Sequence, residues 1–303
     1  MTDEIAIDAD LARSVVRTQF PELDPLQIER LGEGCDSVAF EVNGTWVFRF
    51  PKRADVEQQL SVETKLLRWL RLGGSPIPVP AFGFDGRPSD EFPRHFGGYA
   101  KLKGIPANRL NPSGIAFERL APELGRFLSW LHGLPADEVL AAGVADERGH
   151  DVIAEVRDEV LEEFPVLLRV IPDAPVDAWH AFFDGALSLP RPGPSAFALV
   201  HNDLAAEHVL VDDTGAHVTG VIDWSDAAIG DRALDFGGVH HWGGATFLNS
   251  VLAHYGGVVD NGLLDRARFF AAARGVLDVS FGLARDDRAY VENGVRAIRW
   301  ALE

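Results

Sequence analysis

Apolar positions along the chain change their period from helical to alternating and back. Residues 8–20 read as an amphipathic helix with an Asp start signal, stopped near Pro21. Three short runs rich in β-formers follow, at residues 26–31, 38–42 and 45–50, and Asn43-Gly44 between the last two is a hairpin signal. Helical spacing returns over 54–72, where Val56, Leu60, Leu67 and Leu70 mark a stripe that Gly73-Gly74 ends. The prolines of PIPVP, residues 76–80, make a loop, and Gly97-Gly98-Tyr99 leads into AKLKGIP, a run suited to linking two lobes. Beyond it Phe117, Leu120, Leu124, Phe127, Leu128 and Leu131 form an amphipathic stripe, and Ile153, Val156, Val160 and Phe164 form another. The second part is therefore mostly helical, with a few strands near residue 200. No repeat or low-complexity tract occurs.

Those strands carry the densest cluster of titratable groups, LVHNDLAAEHVLVDDTGAHVTGVIDW at residues 199–224. His208 precedes the strand VLVD, a turn follows at Asp213-Thr214-Gly215, and a second strand ends in GVID. A hairpin with arms of similar length would return Asp223 close to His208. Asp203, in the loop before the first strand, could face the same space. A divalent ion bridging nucleotide phosphates needs one or two hard protein ligands, which Asp223 suits best. A phosphoryl acceptor needs a carboxylate to orient its hydroxyl and take the proton, the part Asp203 could play.

Two upstream patterns fit the same chemistry. Glu63 shares the helix face of Val56, Leu60, Leu67 and Leu70, so a carboxylate sits at the edge of a buried stripe and needs a partner. In TWVFRF, alternation puts Arg49 with Val47 on one sheet face and Trp46, Phe48 and Phe50 on the other. An Arg49–Glu63 pair would hold a cation over nucleotide phosphates, or be a plain ion pair. In LGEGCDSVAF, Gly32 and Gly34 between two strands would let the backbone approach phosphate, and Ser37 could donate to it.

Composition then narrows the partners. With 28 Lys and Arg against 46 Asp and Glu, the formal charge is −18, which argues against a phosphate-backbone partner and permits a cationic small molecule, or simply a solubilising surface. The absence of a run of about 18 apolar residues, and the acidic start MTDEIAIDAD, point to a cytoplasmic protein without a membrane partner. The one cysteine, Cys35, cannot close an internal disulfide, so any metal is held by oxygen or imidazole. His240-His241 lacks ligand spacing for a second metal.

The order of glycine loop, cationic strand, Glu-bearing helix and catalytic segment is the protein-kinase order. HNDLAAEHVLV with GVIDWSDAAIGDRALDFGG closely resembles the catalytic and metal-binding loops of the aminoglycoside phosphotransferase superfamily. LGEGCDSVAFEVNGTWVFRFPK, VETKLLRWL and ELGRFLSWLHGLP resemble its nucleotide-loop hairpin, its paired-Glu helix and its Leu-His helix. The resemblance spans nearly the whole chain. It implies an α+β, protein-kinase-like bilobal fold: a small N-terminal lobe over residues 1–100, with a five-stranded antiparallel sheet plus a helix, and a larger helical lobe over 101–303. It implies ATP or GTP as phosphoryl donor, with the base near Tyr99, Ala100 and Leu102, and Mg2+ held by His208 and Asp223. Asp203 would be the catalytic base, Arg49 and Glu63 the phosphate-orienting pair, and Asp231 and Asp235 structural supports. His208 where kinases carry Asn, and Arg49 where many members carry Lys, are departures; the first also occurs in aminoglycoside 2''- and macrolide 2'-phosphotransferases. The glycine-loop segment looks more like the aminoglycoside enzymes, which implies a monomeric antibiotic-resistance kinase with Asp226 as a candidate for an acceptor amine. A macrolide 2'-phosphotransferase, a small-metabolite kinase and a nucleotide-binding pseudokinase are the alternatives.

Overall fold

The computed structural model describes residues 4–34, 36–110, 114–172 and 174–302, so Cys35 lies outside the described residues. The chain forms two compact units: residues 1–103 with 220–225, and residues 104–219 with 226–303.

In the first unit, helix α1 (Ala9–Gln19) starts where the Asp8 carboxylate accepts from the backbone N–H of Asp10 and Leu11. Strands β1 (Ile28–Glu33), β2 (Ser37–Val42) and β3 (Trp46–Pro51) follow, then helix α2 (Ala54–Leu72), β4 (Phe82–Gly86) and β5 (Phe96–Ala100). The five strands form one antiparallel sheet in the order β1-β2-β3-β5-β4. β1 begins two residues later than the hydrophobic run at 26–31 suggests and also ends two residues later, at Glu33 in the glycine loop. Asn43 and Gly44 both take positive φ, 55° and 68°, which is why those two residue types stand at the β2–β3 turn. One sheet face is aromatic: Phe40, Phe48, Phe50 and Phe96 are buried together with Phe92 of the β4–β5 connection, and Phe50 and Phe96 stack at 4.6 Å. α2 buries Val56, Leu60, Leu66, Leu67 and Leu70, and with them Glu63.

The second unit opens with the short β6 (Ile105–Pro106), then α3 (Phe117–Leu131), α4 (Ala136–Ala141), β7 (Ala145–Asp146), α5 (Val152–Val170) and α6 (Val176–Gly185). Next come β8 (Phe197–Val200), β9 (Val209–Val211), β10 (Val218–Val221), at whose end the chain enters the segment belonging to the first unit, and β11 (Ala228–Asp231). Helices α7 (Ala233–Leu252), α8 (Leu263–Arg285) and α9 (Arg288–Leu302) complete it. β10-β9-β6 and β7-β11-β8 are small three-stranded sheets. α7 packs on α3, α8 and α9, and α8 also packs on α5. α7 bends at Gly244, whose φ of 70° is non-helical. Among the described residues no helix is long and apolar enough to cross a membrane.

Candidate active site

Strand parity delivers Arg49 to helix α2. While Phe48 and Phe50 fill the aromatic core, Arg49 donates from one nitrogen to both Glu63 oxygens, at 2.7 and 2.9 Å. Its other terminal nitrogen donates to Asp223 Oδ1 at 3.1 Å. Glu63, 2% exposed, also accepts from the Trp224 backbone N–H at 3.2 Å, and Asp223 Oδ1 from the Ser225 hydroxyl at 3.1 Å. Burial alone would lower the Arg49 pKa, but the Glu63 and Asp223 carboxylates carry it above its ordinary value, so the guanidinium stays charged. Asp223 sits at φ 63°, a left-handed conformation that Asp tolerates better than most side chains.

The glycine loop lies in the same unit. Gly34 N–H donates to the Ser37 carbonyl at 3.0 Å, while a Cβ at Gly32 would meet nothing within 4 Å. Packing within the protein therefore does not require glycine at 32. Lys52, just past the end of β3, is buried: its Nζ donates to the Gly34 carbonyl at 3.0 Å and pairs with Glu33 at 2.5 Å. It fastens the loop and leaves the pairing with Glu63 to Arg49. The Tyr99 side chain is buried edge-on to Phe82 at 5.0 Å, whereas Ala100 is exposed and Leu102 half-buried.

In the second unit, β8 is buried from Ala198 to Val200, and His201 just past its end is wholly buried; Asn202 then turns the chain at φ 68°. Asp235, also wholly buried, fixes that turn by accepting from the N–H of His201 at 3.1 Å and of Asn202 at 3.0 Å. Its Oδ2 also meets His132 Nε2 at 3.0 Å, and His132 Nδ1 meets the Tyr255 hydroxyl at 2.9 Å. Asp203 follows directly. His208 Nδ1 lies 2.8 Å from the Asp203 carbonyl and 3.2 Å from its Oδ2, while Arg274 of α8 donates to Oδ1. The second terminal nitrogen of Arg274 donates to Glu207 at 2.7 Å, and burial pushes the Glu207 carboxyl above its usual range. Asp231 is a support of another kind, paired with the fully buried Arg266 at 2.6 and 3.0 Å.

Residues 27–270 match the family described as APH, the phosphotransferase enzyme family. The chain belongs to that family. This phosphotransferase-family chain is 28% identical over 242 residues to viomycin phosphotransferase of Streptomyces vinaceus, a match covering 72% of this chain and 71% of that one. It is 26% identical over 204 residues to the uncharacterized protein YcbJ of Bacillus subtilis (strain 168), covering 63% of this chain and only 61% of YcbJ. Among solved structures, the GDP complex of wild-type aminoglycoside 2'-phosphotransferase-IIIa superposes with a TM-score of 0.77 at 27% identity, covering 98% of this chain and 99% of that one. The GDP and kanamycin complex of APH(2'')-IIIa does so with a TM-score of 0.72 at 27% identity, covering 96% and 97%. The kinase-like α+β fold expected from the motifs is the one found.

Two cavities of the phosphotransferase's second unit border the loop between β8 and β9. One of about 430 Å³ is walled by Asp146, Glu147, Glu155, Asn202, Leu204 and Arg274 among others. Glu147 Oε2 is buried with no hydrogen-bond partner among the described residues, and burial raises the Glu147 pKa. The other, of about 190 Å³, touches Glu207, Asn108, Trp242 and Arg296, and the last three each carry a buried polar atom without such a partner. Asp226 is exposed and lines neither. Among the described residues no group of three or more His, Cys, Asp or Glu converges as a ready-made metal site. His208 lies in the second unit and Asp223 in the segment belonging to the first. Arg274, Glu207 and Glu147 escape sequence reading, since nothing local distinguishes them from other charged residues of the helical region.

Proposed function

We propose that this chain transfers the γ-phosphoryl group of ATP or GTP to a hydroxyl of an aminoglycoside antibiotic and thereby confers resistance. The observation carrying this reading is Asp203: in a chain of this family, its carboxylate is contacted on both oxygens within a loop that buried Asp235 fixes. A base so placed orients the acceptor hydroxyl and takes its proton as the oxygen attacks phosphorus and the bond to the bridging oxygen of the nucleoside diphosphate breaks.

The remaining residues bind and orient. Arg49, charged and braced by Glu63, stands ready for phosphate oxygens, and the open backbone at Gly32 leaves space for them near Gly34 and Ser37. The base lies along Tyr99, Ala100 and Leu102 through the backbone, since the Tyr99 ring is buried. For Mg2+ the hard donor is the Asp223 carboxylate; His208, whose Nδ1 donates to the Asp203 carbonyl, is the second ligand the family resemblance names, and its imidazole is the poorer match for that ion. Bound there, the ion would neutralise charge on the phosphates. An acceptor amine finds a match in the Glu147 oxygen that has no hydrogen-bond partner among the described residues, a better candidate than exposed Asp226. The names of the relatives, one acting on viomycin and one bound to kanamycin, favour an antibiotic over another metabolite.

The test is a nucleotide-turnover assay with MgATP and MgGTP against kanamycin, gentamicin, viomycin and a macrolide, paired with growth of a susceptible host expressing the gene. Turnover stimulated by an aminoglycoside, lost in Asp203→Asn, is expected. Stimulation by the macrolide or viomycin alone would reject the aminoglycoside assignment, and nucleotide binding with no transfer would favour the pseudokinase.

A further inference from the structure

We propose that Arg274 is a positioning residue for phosphoryl transfer, its guanidinium tying Asp203 to Glu207 and so fixing the direction in which Asp203 presents its carboxylate. This rests on the reading of Asp203 as the base. Asp235 secures only the backbone at His201 and Asn202. The turn from Asp203 to His208 is closed by its own backbone bonds, Ala205 N–H to the Asp203 carbonyl and His208 N–H to the Ala205 carbonyl, both at 3.0 Å, but these leave the Asp203 and Glu207 side chains their torsions, and a carboxylate rotates about a broad, nearly two-fold torsion. Arg274 removes that freedom from both at once: one nitrogen donates to Asp203 Oδ1 and the other to Glu207 at 2.7 Å. His208 Nδ1 stands 3.2 Å from Oδ2, so the carboxylate is contacted on both of its oxygens.

The base of this clamp is rigid. Its neighbours on α8, Phe270, Ala271, Ala272, Ala273, Gly275 and Val276, are buried in the helical core, so the Arg274 backbone cannot drift. A planar guanidinium serves two carboxylates in fixed directions, whereas an ammonium is a point charge without that geometry. Arg274 also lines the 430 Å³ cavity, beside Asn202 and Leu204 of the loop. A small cation can therefore reach the space its side chain would vacate.

The experiment uses the full chain with Arg274→Ala, Arg274→Lys, Glu207→Gln, Asp203→Asn and the double variant Asp203→Asn/Arg274→Ala. MgGTP hydrolysis to water is followed as well as transfer to kanamycin, so a chain that rejects kanamycin still reports. Arg274→Ala is expected to lower kcat about ten- to a hundredfold with the KM for GTP within about twofold of wild type, as displacement of a reacting group requires. Added ethylguanidinium restores much of the loss, added methylammonium does not, and Arg274→Lys recovers only part. Glu207→Gln loosens the clamp from its other end and lowers kcat in the same manner, which keeps the test open if Arg274→Ala folds poorly. The double variant runs no slower than Asp203→Asn alone. Wild-type kcat in both clamp variants, or an equal further loss when Arg274→Ala is added to Asp203→Asn, overturns the positioning role while leaving Asp203 as base. Full activity in Asp203→Asn overturns the base assignment and this inference with it.

Discussion

A guanidinium held between two carboxylates can serve the fold, a ligand or both, and Arg49 separates these roles by substitution. Arg49→Met leaves Glu63, 2% exposed, with only the Trp224 N–H among the partners described above, which costs about 3–5 kcal/mol of stability in urea unfolding. Arg49→Met/Glu63→Gln removes the stranded charge and regains most of that loss. If the pair served only the fold, the double variant would bind GTP as wild type does; the expected outcome is a KM for GTP still raised at least about tenfold. This pair was readable in the sequence because strand parity and helix face are each local properties. The Arg274–Asp203 pair was not: its partners lie 71 residues apart, and nothing in α8 singles out one arginine.

Elements meet in this protein with tolerances that single atoms expose. Helix α7 passes so close to the loop between β8 and β9 that a Cβ at Gly238 would lie 1.9 Å from the Leu204 carbonyl oxygen, so a larger residue must displace that loop. Gly238→Ala is expected to cost about 1–3 kcal/mol in thermal unfolding and to depress kcat at an unchanged KM for nucleotide. Gly32→Ala is the contrasting case, with nothing within 4 Å of the added methyl. Its melting temperature should match wild type within a degree or so, while its KM for GTP rises if phosphate occupies the space above the loop. α7 and α8 were not legible as separate helices. Both are buried around most of their circumference, so no apolar stripe stands out from a polar face, unlike in α2 and α3.

For the molecule as a whole, acid stability has an identifiable contributor in the helical unit. Burial, then Arg268 and His241, push His240 from 6.5 down to about 4, and its Nδ1 has no partner among the described residues. Between those two values the unfolded chain binds a proton that the folded chain refuses. The contribution is therefore complete above about pH 6.5 and declines as pH falls toward about 4, by at most about 3 kcal/mol. Urea midpoints for wild type and His240→Gln, compared at neutral pH and near pH 4.5, should show the smaller acid loss in the variant; identical losses would exclude His240 as a contributor. The division into two units also belongs to this scale. The chain crosses between them repeatedly, and the segment 220–225 joins the first unit across more than a hundred intervening residues through the Arg49–Asp223 and Glu63–Trp224 bonds.

The sequence alone determined the strands and helices whose apolar period is clean, the pairing of Arg49 with Glu63, and the loop that carries Asp203 and His208. Each of these follows from a repeat or spacing within a few residues. Only the tertiary structure decided which of the 28 Lys and Arg reaches Asp203, why glycine stands at 238, and that Asp235, itself bonded to His132, holds the turn at His201 and Asn202. Those contacts join segments remote along the chain, and their energies come from close approach, which no local pattern encodes.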